Sequence, residues 1–265
     1  MTELFGPWRL DALIAVGGLG EVWRATRTSD GVVAAVKRLH THLARVDEAR
    51  EQFAVEQQLA LGLPRHRNVI HGLETGTVES RPYVALEIAP GTDLRRILAP
   101  PATRQDAAPA TTTLPRSRAL AIVRAACDGA AHLHRFGYVH GDICPGNLVV
   151  DGEHVTLIDL GVARKIGEGG AVRGTHAYMA PEQVRGEAWT PATDVFALGV
   201  VLWELVAGKR LFHRGPPWLS MAAVVEDAAP PLPDRELDAI AQAALVKDPA
   251  QRIASASDLA TRLCN

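Results

Sequence analysis

Tyr138-Val139-His140-Gly141-Asp142-Ile143-Cys144-Pro145-Gly146-Asn147-Leu148-Val149-Val150, followed by Thr156-Leu157-Ile158-Asp159-Leu160-Gly161, is the stretch whose reading decides the fold. It places two carboxylates and an amide on loops bounded by short apolar strands. Transfer of a phosphoryl group needs an acceptor for the proton of the incoming hydroxyl, and oxygen ligands for magnesium. Asp142, Asn147 and Asp159 supply that set at compatible spacing. Asp and Asn are common in turns, so any one of the three taken singly reads as structural. The combination is what carries the signal.

Working outward toward the N-terminus, Ile14-Ala15-Val16-Gly17-Gly18-Leu19-Gly20-Glu21-Val22 is a glycine-rich run between apolar strands. Glycines let backbone amides approach phosphate oxygens with no Cβ in the way; a plain hairpin turn would look the same. Ala34-Ala35-Val36-Lys37 then brings a lysine to the end of an apolar strand, where a charge drawn inward needs a partner. Glu56, on the amphipathic helix expected from about Val46 to Leu63 and stopped by Pro64, can supply it. Two unrelated surface charges remain the other reading of that pair.

Bulk properties narrow the classes. The chain has 265 residues, long enough for a substantial core, with 28 basic and 30 acidic residues and a formal charge of -2. That balance gives no electrostatic reason to expect nucleic acid or an anionic membrane as the main partner. Cys127, Cys144 and Cys264 are odd in number and far apart, which supports neither a disulfide framework nor a Cys-x-x-Cys metal site and suits a reducing, cytoplasmic location. No basic region followed by an apolar run opens the sequence, and the longest apolar stretch, Val195 to Gly208, is broken by Glu204. Neither a signal peptide nor a membrane span is expected.

Trp8 to Leu39 reads as an antiparallel meander, and Tyr83 to Ile88 as a short buried strand. The Ala-, Pro- and Thr-rich segment 99–115 is expected to be a flexible insertion. Leu120, Val123, Cys127, Ala130 and His134 recur at helical spacing, and Val195 to Ala207 is apolar nearly all round, as a buried central helix would be.

With these residues in place, the sequence from about Trp8 to Leu263 resembles the eukaryotic-type, bacterial-like Ser/Thr protein-kinase catalytic domain. The resemblance implies an α+β, bilobal fold over 1–265: a small β-rich N-lobe with one helix plus hinge over about 8–90, and a larger, mainly helical C-lobe over about 91–265. It implies ATP and Mg2+ as cofactors. Lys37 would hold the α- and β-phosphates and pair with Glu56; Asp142 would be the catalytic base, and Asn147 and Asp159 the magnesium ligands. Val16, Gly17, Gly18, Leu19 and Gly20 would cover the phosphates. Val22, Ala35 and Val149 would sandwich the adenine, with Leu86 as gatekeeper and Glu87 to Ala89 as the hinge whose backbone meets the base. Gly174 to Glu182 resembles the substrate-docking loop, and its Gly174-Thr175 pair the Ser/Thr rather than the tyrosine branch. Asp194 would anchor the catalytic loop from beneath, and Arg252 would pair with Glu182.

Departures from the family pattern are Ala15 for the first loop glycine, Gly141 for the arginine after His140, Leu160 for phenylalanine, and Cys144 for the catalytic-loop lysine. Cys144 bears most directly on the chemistry, because a thiol offers no positive charge to developing phosphate negativity. The expected function is transfer of the ATP γ-phosphate to a Ser/Thr hydroxyl of a protein, with a regulatory protein partner possible. An ATP-binding scaffold, or a small-molecule phosphotransferase of the aminoglycoside and choline kinase type, are the alternatives. The resemblance ends just before Asn265, so no sensor or membrane domain is expected.

Overall fold

Strands with one face toward a core and one toward water dominate the first third of the chain, and the sheet they build is wholly antiparallel. A computed structural model of the chain describes residues 3–99 and 113–264. Two units separate within it: residues up to Ala89 together with Asp159–Gly161, and the residues from Pro90 onward without those three.

The first unit contains β1 (Glu3–Phe5), β2 (Trp8–Val16), β3 (Gly20–Arg27), β4 (Val33–Leu39), α1 (Asp47–Gly62), β5 (Gly72–Val78) and β6 (Arg81–Leu86). The sheet order is β1-β2-β3-β4-β6-β5. Phe5, Trp8, Leu10, Ala25, Ala34, Val36, Tyr83 and Ala85 form its buried core, so the meander expected from Trp8 gains a strand before it. The strand expected over Tyr83 to Ile88 stops at Leu86, because its pairing with Ala35 on one side and Gly72 on the other ends there. Helix α1 opens on Asp47 and Glu48, which complement its dipole, and ends before Pro64, burying Phe53, Glu56 and Leu59.

The second unit runs β7 (Thr92–Asp93), α2 (Leu94–Leu98), α3 (Arg116–Arg135), β8 (Tyr138–Val139), β9 (Leu148–Asp151), β10 (His154–Leu157), β11 (Arg164–Lys165), α4 (Pro181–Val184), α5 (Pro191–Ala207), α6 (Pro217–Glu226), α7 (Arg235–Ala244) and α8 (Ala256–Arg262). Helix α5 is buried without interruption from Ala192 to Leu205 and packs against α3, α7 and α8. Gly208 ends it in the left-handed conformation, φ 61°, which glycine adopts without strain. Glu204, the charge inside this apolar run, accepts from the Tyr178 hydroxyl at 2.6 Å, the Leu211 N–H at 2.9 Å and Arg210 Nε at 3.2 Å. Those donors let a carboxylate stay in a buried helix. Residues 100–112 of the insertion expected over 99–115 lie outside the described residues. Among the described residues no helix is long and apolar enough to cross a membrane.

Candidate active site

In the first unit the glycine-rich turn joins β2 to β3. Gly17 N–H donates to Gly20 C=O at 2.8 Å, and the backbone N–H of His40 to Leu19 C=O at 2.9 Å. The His40 ring reaches Gly17 C=O at 2.9 Å; since a carbonyl only accepts, Nε2 carries the proton. Gly20 has a second reason to be glycine: a Cβ there would sit 2.2 Å from the Arg38 carbonyl oxygen of β4. A Cβ on Gly18 would meet open space, and one on Gly17 would only touch the Gly20 carbonyl oxygen at 3.7 Å. Val16 and Leu19 flank the turn, while Val22 pairs with Lys37 and Ala35 with Leu86 across the sheet. At the end of β6 the Glu87 N–H is committed to His71 C=O at 3.0 Å.

Lys37 Nζ donates to Glu56 Oε1 at 2.8 Å and to Asp159 Oδ1 at 2.7 Å. The Lys-Glu pair expected from the sequence is therefore a triad, closed by an aspartate 122 positions away. Burial works to lower the Lys37 pKa, but the two carboxylates outweigh it and hold the ammonium charged, above its ordinary range. Burial pushes the Glu56 carboxyl up to about 7, with Lys37 pulling the other way. Asp159 sits in the left-handed region at φ 65°, costly for a non-glycine residue, and also accepts from the Gly161 N–H at 3.2 Å. Gly161 must be small: its Cβ would lie 2.9 Å from Glu56 Oε2 and 3.1 Å from Lys37 Nζ. The Asp159 side chain is 41% exposed, so the triad has a wet side.

In the second unit, Asp142 Oδ1 accepts from the Thr175 N–H at 2.7 Å, and its Oδ2 from Asn147 Nδ2 at 3.0 Å. Asn147 Nδ2 also donates to the Asp142 carbonyl at 2.9 Å, which spends the amide nitrogen inside the loop and leaves Oδ1 as its acceptor. His140 is fully buried; its Nδ1 accepts from the Asp142 N–H at 3.2 Å, and its Nε2 donates to Ile158 C=O at 3.2 Å, which fixes the neutral tautomer. Asp194 accepts from the His140 N–H at 2.8 Å, the Gly141 N–H at 2.9 Å and His134 Nε2 at 2.8 Å. That is the anchoring expected of it. Burial alone would raise its carboxyl, but His134 and the backbone donors hold it below the ordinary value. Val149 is buried on β9, opposite Asp93 of β7.

Cys144 is buried, and its sulfur accepts from the Thr175 hydroxyl at 3.4 Å. Burial and the neighbouring Asp142 carboxylate push its thiol up to about 12. It is a neutral S–H at physiological pH, poorly suited to redox sensing. The Glu182–Arg252 pair is bidentate, at 2.7 and 2.9 Å, and fully enclosed. Residues that sequence reasoning passed over also organise the loop. Gln183 Nε2 donates to Gly141 C=O at 2.9 Å, and the indole of Trp189 lies against Gly141. No motif marks Trp189; only the missing arginine at position 141 hinted that something else fills that space.

Taken singly, the Asp159 carboxylate in the first unit and the Asn147 amide oxygen in the second are hard oxygen donors of the kind magnesium takes, and within the first unit the glycine turn and Lys37 are of the kind that takes phosphate, so the residue types present fit both groups. Among the described residues no cluster of three or more His, Cys, Asp or Glu offers another metal site.

A β-rich unit and a helical unit carry these two sets of side chains, and a protein kinase domain model matches residues 8–263. The chain belongs to the protein kinase domain family. It is 31% identical to the probable serine/threonine-protein kinase PknB of Corynebacterium glutamicum over 97% of this chain and 41% of that protein. To serine/threonine-protein kinase PknB of Mycobacterium tuberculosis it is 31% identical, over 97% of this chain and 42% of the relative. The chain thus spans about two fifths of the length of the curated relatives it matches. The crystal structure of the Mycobacterium tuberculosis PknI kinase domain, solved as a cysteine-to-alanine mutant, matches with a TM-score of 0.76 and 25% identity, covering 99% of this chain and 96% of that one.

Proposed function

We propose that this chain is an ATP- and magnesium-dependent protein Ser/Thr kinase acting in the cytoplasm on protein substrates, with regulation by a partner protein open to it. The observation that carries the reading is the joint presence of the Lys37–Glu56–Asp159 triad and the Asp142–Asn147–Thr175 loop in a kinase-family chain. Lys37 holds the α- and β-phosphates, and the turn Val16–Gly20 offers its amides to phosphate oxygens. By the family's pattern Val22, Ala35 and Leu86, and Val149 of the second unit, are the positions that would each meet the base, with the backbone of Glu87 to Ala89 available to its polar edge. Asp142 accepts the proton of the attacking hydroxyl as the new O–P bond forms and the bond to the β-phosphate oxygen breaks, releasing ADP. By the family's pattern Asn147 and Asp159 would each be a magnesium ligand, and the ion would supply charge neutralisation. Thr175 holds Asp142 in place through its N–H and caps Cys144 through its hydroxyl.

The neutral, buried Cys144 favours a second reading, an ATP-binding scaffold, because nothing at that position supplies the family's cation. One assay separates them: labelled ATP with a generic acceptor protein, wild type beside Asp142→Asn, with nucleotide binding followed in parallel. Transfer by the wild type alone supports the kinase; Mg-ATP binding by both with transfer by neither supports the scaffold.

A further inference from the structure

The space beside Gly141 is occupied. Gly141 has φ +75°, and a Cβ built on it would lie 2.3 Å from Trp189 Cζ3 and 3.0 Å from Cη2. The indole is fully buried, and its N–H finds no acceptor among the described residues, so the ring surface is what this tryptophan contributes. Its backbone is tied to the segment after β11: Trp189 N–H donates to Glu168 C=O at 2.9 Å, and Gly167 N–H to Trp189 C=O at 2.8 Å. The Arg164 guanidinium lies 4.6 Å over the ring centroid and donates to Gly169 C=O at 2.5 Å and Ala171 C=O at 3.3 Å. Gly169 and Gly170 admit no side chain: a Cβ would meet Glu187 C=O at 2.6 Å in one and Arg164 Nη1 at 2.5 Å in the other. The segment's far end reaches Asp142 through the Thr175 N–H.

We propose that Arg164 and Trp189 are positioning residues which clamp segment 164–175 against the catalytic loop without any phosphate, fixing the acceptor-binding side of the site in its working form. The proposal rests on the kinase reading and deepens it. Residues 160–173 contain no Ser, Thr or Tyr, and the hydroxyl at the segment's far end, on Thr175, donates to the Cys144 sulfur at 3.4 Å. A cation stacked on a buried indole and bonded to two carbonyls does what a phosphate bound by an arginine could do, with the charges reversed: a fixed cation gathers backbone acceptors.

The test combines hydrogen exchange of residues 166–175 with steady-state kinetics on one acceptor protein, for wild type, Arg164→Ala, Trp189→Leu and Trp189→Phe. Arg164→Ala is expected to speed exchange in 166–175 and lower kcat/KM for the acceptor by about tenfold each, with the Kd for Mg-ATP within about twofold. Trp189→Leu should match it. Trp189→Phe keeps a ring under the guanidinium, discards an orphan donor, and should retain most of the wild-type rate. Phosphatase treatment of the wild type should change nothing. If Trp189→Leu fails to fold, Arg164→Ala decides alone, since removing a surface guanidinium leaves no core cavity. Unchanged exchange and turnover in Arg164→Ala, or a large loss of wild-type activity on dephosphorylation, overturns the proposal. Absence of wild-type transfer overturns the kinase reading instead, and the exchange data still decide the clamp.

Discussion

Lys37 in the first unit and Arg252 in the second are each a buried cation paired with a carboxylate that is itself buried, and they are treated differently. Arg252 has every neighbour a guanidinium could ask for: both oxygens of Glu182, the carbonyls of Ala192, Val246 and Lys247, and the face of Phe196 beneath it. Lys37 shares two carboxylates, one of them 41% exposed, while Glu56 Oε2 is buried and finds no hydrogen-bond partner among the described residues. A saturated, dry pair is a structural fastening. An undersatisfied triad with one wet side is a place where a ligand can exchange with a resident group. The contrast separates structure from chemistry without appeal to any motif.

The largest effect expected from that contrast is on stability. Arg252→Met strands the buried Glu182 carboxylate and should cost about 3–5 kcal/mol in urea unfolding, with part of the loss recovered in the double variant Glu182→Gln/Arg252→Met. A cost under about 1 kcal/mol would remove the distinction.

Lys37→Met should behave the opposite way, lowering turnover by about 10²–10³-fold while leaving the protein folded. Glu56, already pushed up to about 7, can take a proton when its partner is gone. A carboxyl raised in the folded state stabilises fully below its unfolded value and loses that contribution as pH rises through the folded one. Below about 7 the carboxyl is protonated in both folded proteins, so the Lys37→Met protein should gain stability relative to wild type as pH falls toward about 7 from the alkaline side and keep a constant difference below it, read from urea midpoints across that range.

A third cation refines the comparison. Lys247 Nζ lies 4.4 Å over Phe212 and 5.3 Å over Phe196 and bonds the Val224 carbonyl, and burial lowers its pKa to about 8. The folded state then binds fewer protons than the unfolded one between about pH 8 and the ordinary lysine range, so this group adds stability as pH rises through that window. The difference between wild type and Lys247→Met in unfolding midpoint should shift in the wild type's favour between about pH 7.5 and 9.5, by less than either effect above.

The smallest effect concerns the position where the family has a cation and this chain has none. In the folded protein at about pH 8, iodoacetamide should label exposed Cys264 and spare buried Cys144 and Cys127, as peptide mapping would show. Rapid labelling of Cys144 would mean that the loop opens.

Much of this was legible in the sequence because the proposed chemistry restricts residue types. Asp142, Asn147, Asp159, Lys37 and Glu56 are of types and spacings that few other tasks require, and the α5 core declares itself through a run that is apolar nearly all round. What escaped was packing between residues distant in sequence. Strand β1 is three residues long and carries only Phe5 into the core, too little pattern for a period-two reading. Asp159's place beside Lys37 depends on a left-handed backbone that no side-chain pattern announces. Trp189, Gln183 and Arg164 act through ring area and single hydrogen bonds that leave no spacing rule behind. Gly141 was read as the loss of an arginine, whereas its backbone angle and the indole beside it demand glycine.

Asp194 has a consequence in time. Its carboxylate collects donors from His134, His140 and Gly141, the last two 54 and 53 positions earlier in the chain. During synthesis at roughly 5–20 residues per second, Asp142 leaves the ribosome several seconds before the group that gives its loop a shape. Through that interval the growing chain has the residues of the transfer site but not their arrangement. The bonds that Asp194 makes to His134, His140 and Gly141 can form only once α5 has been made.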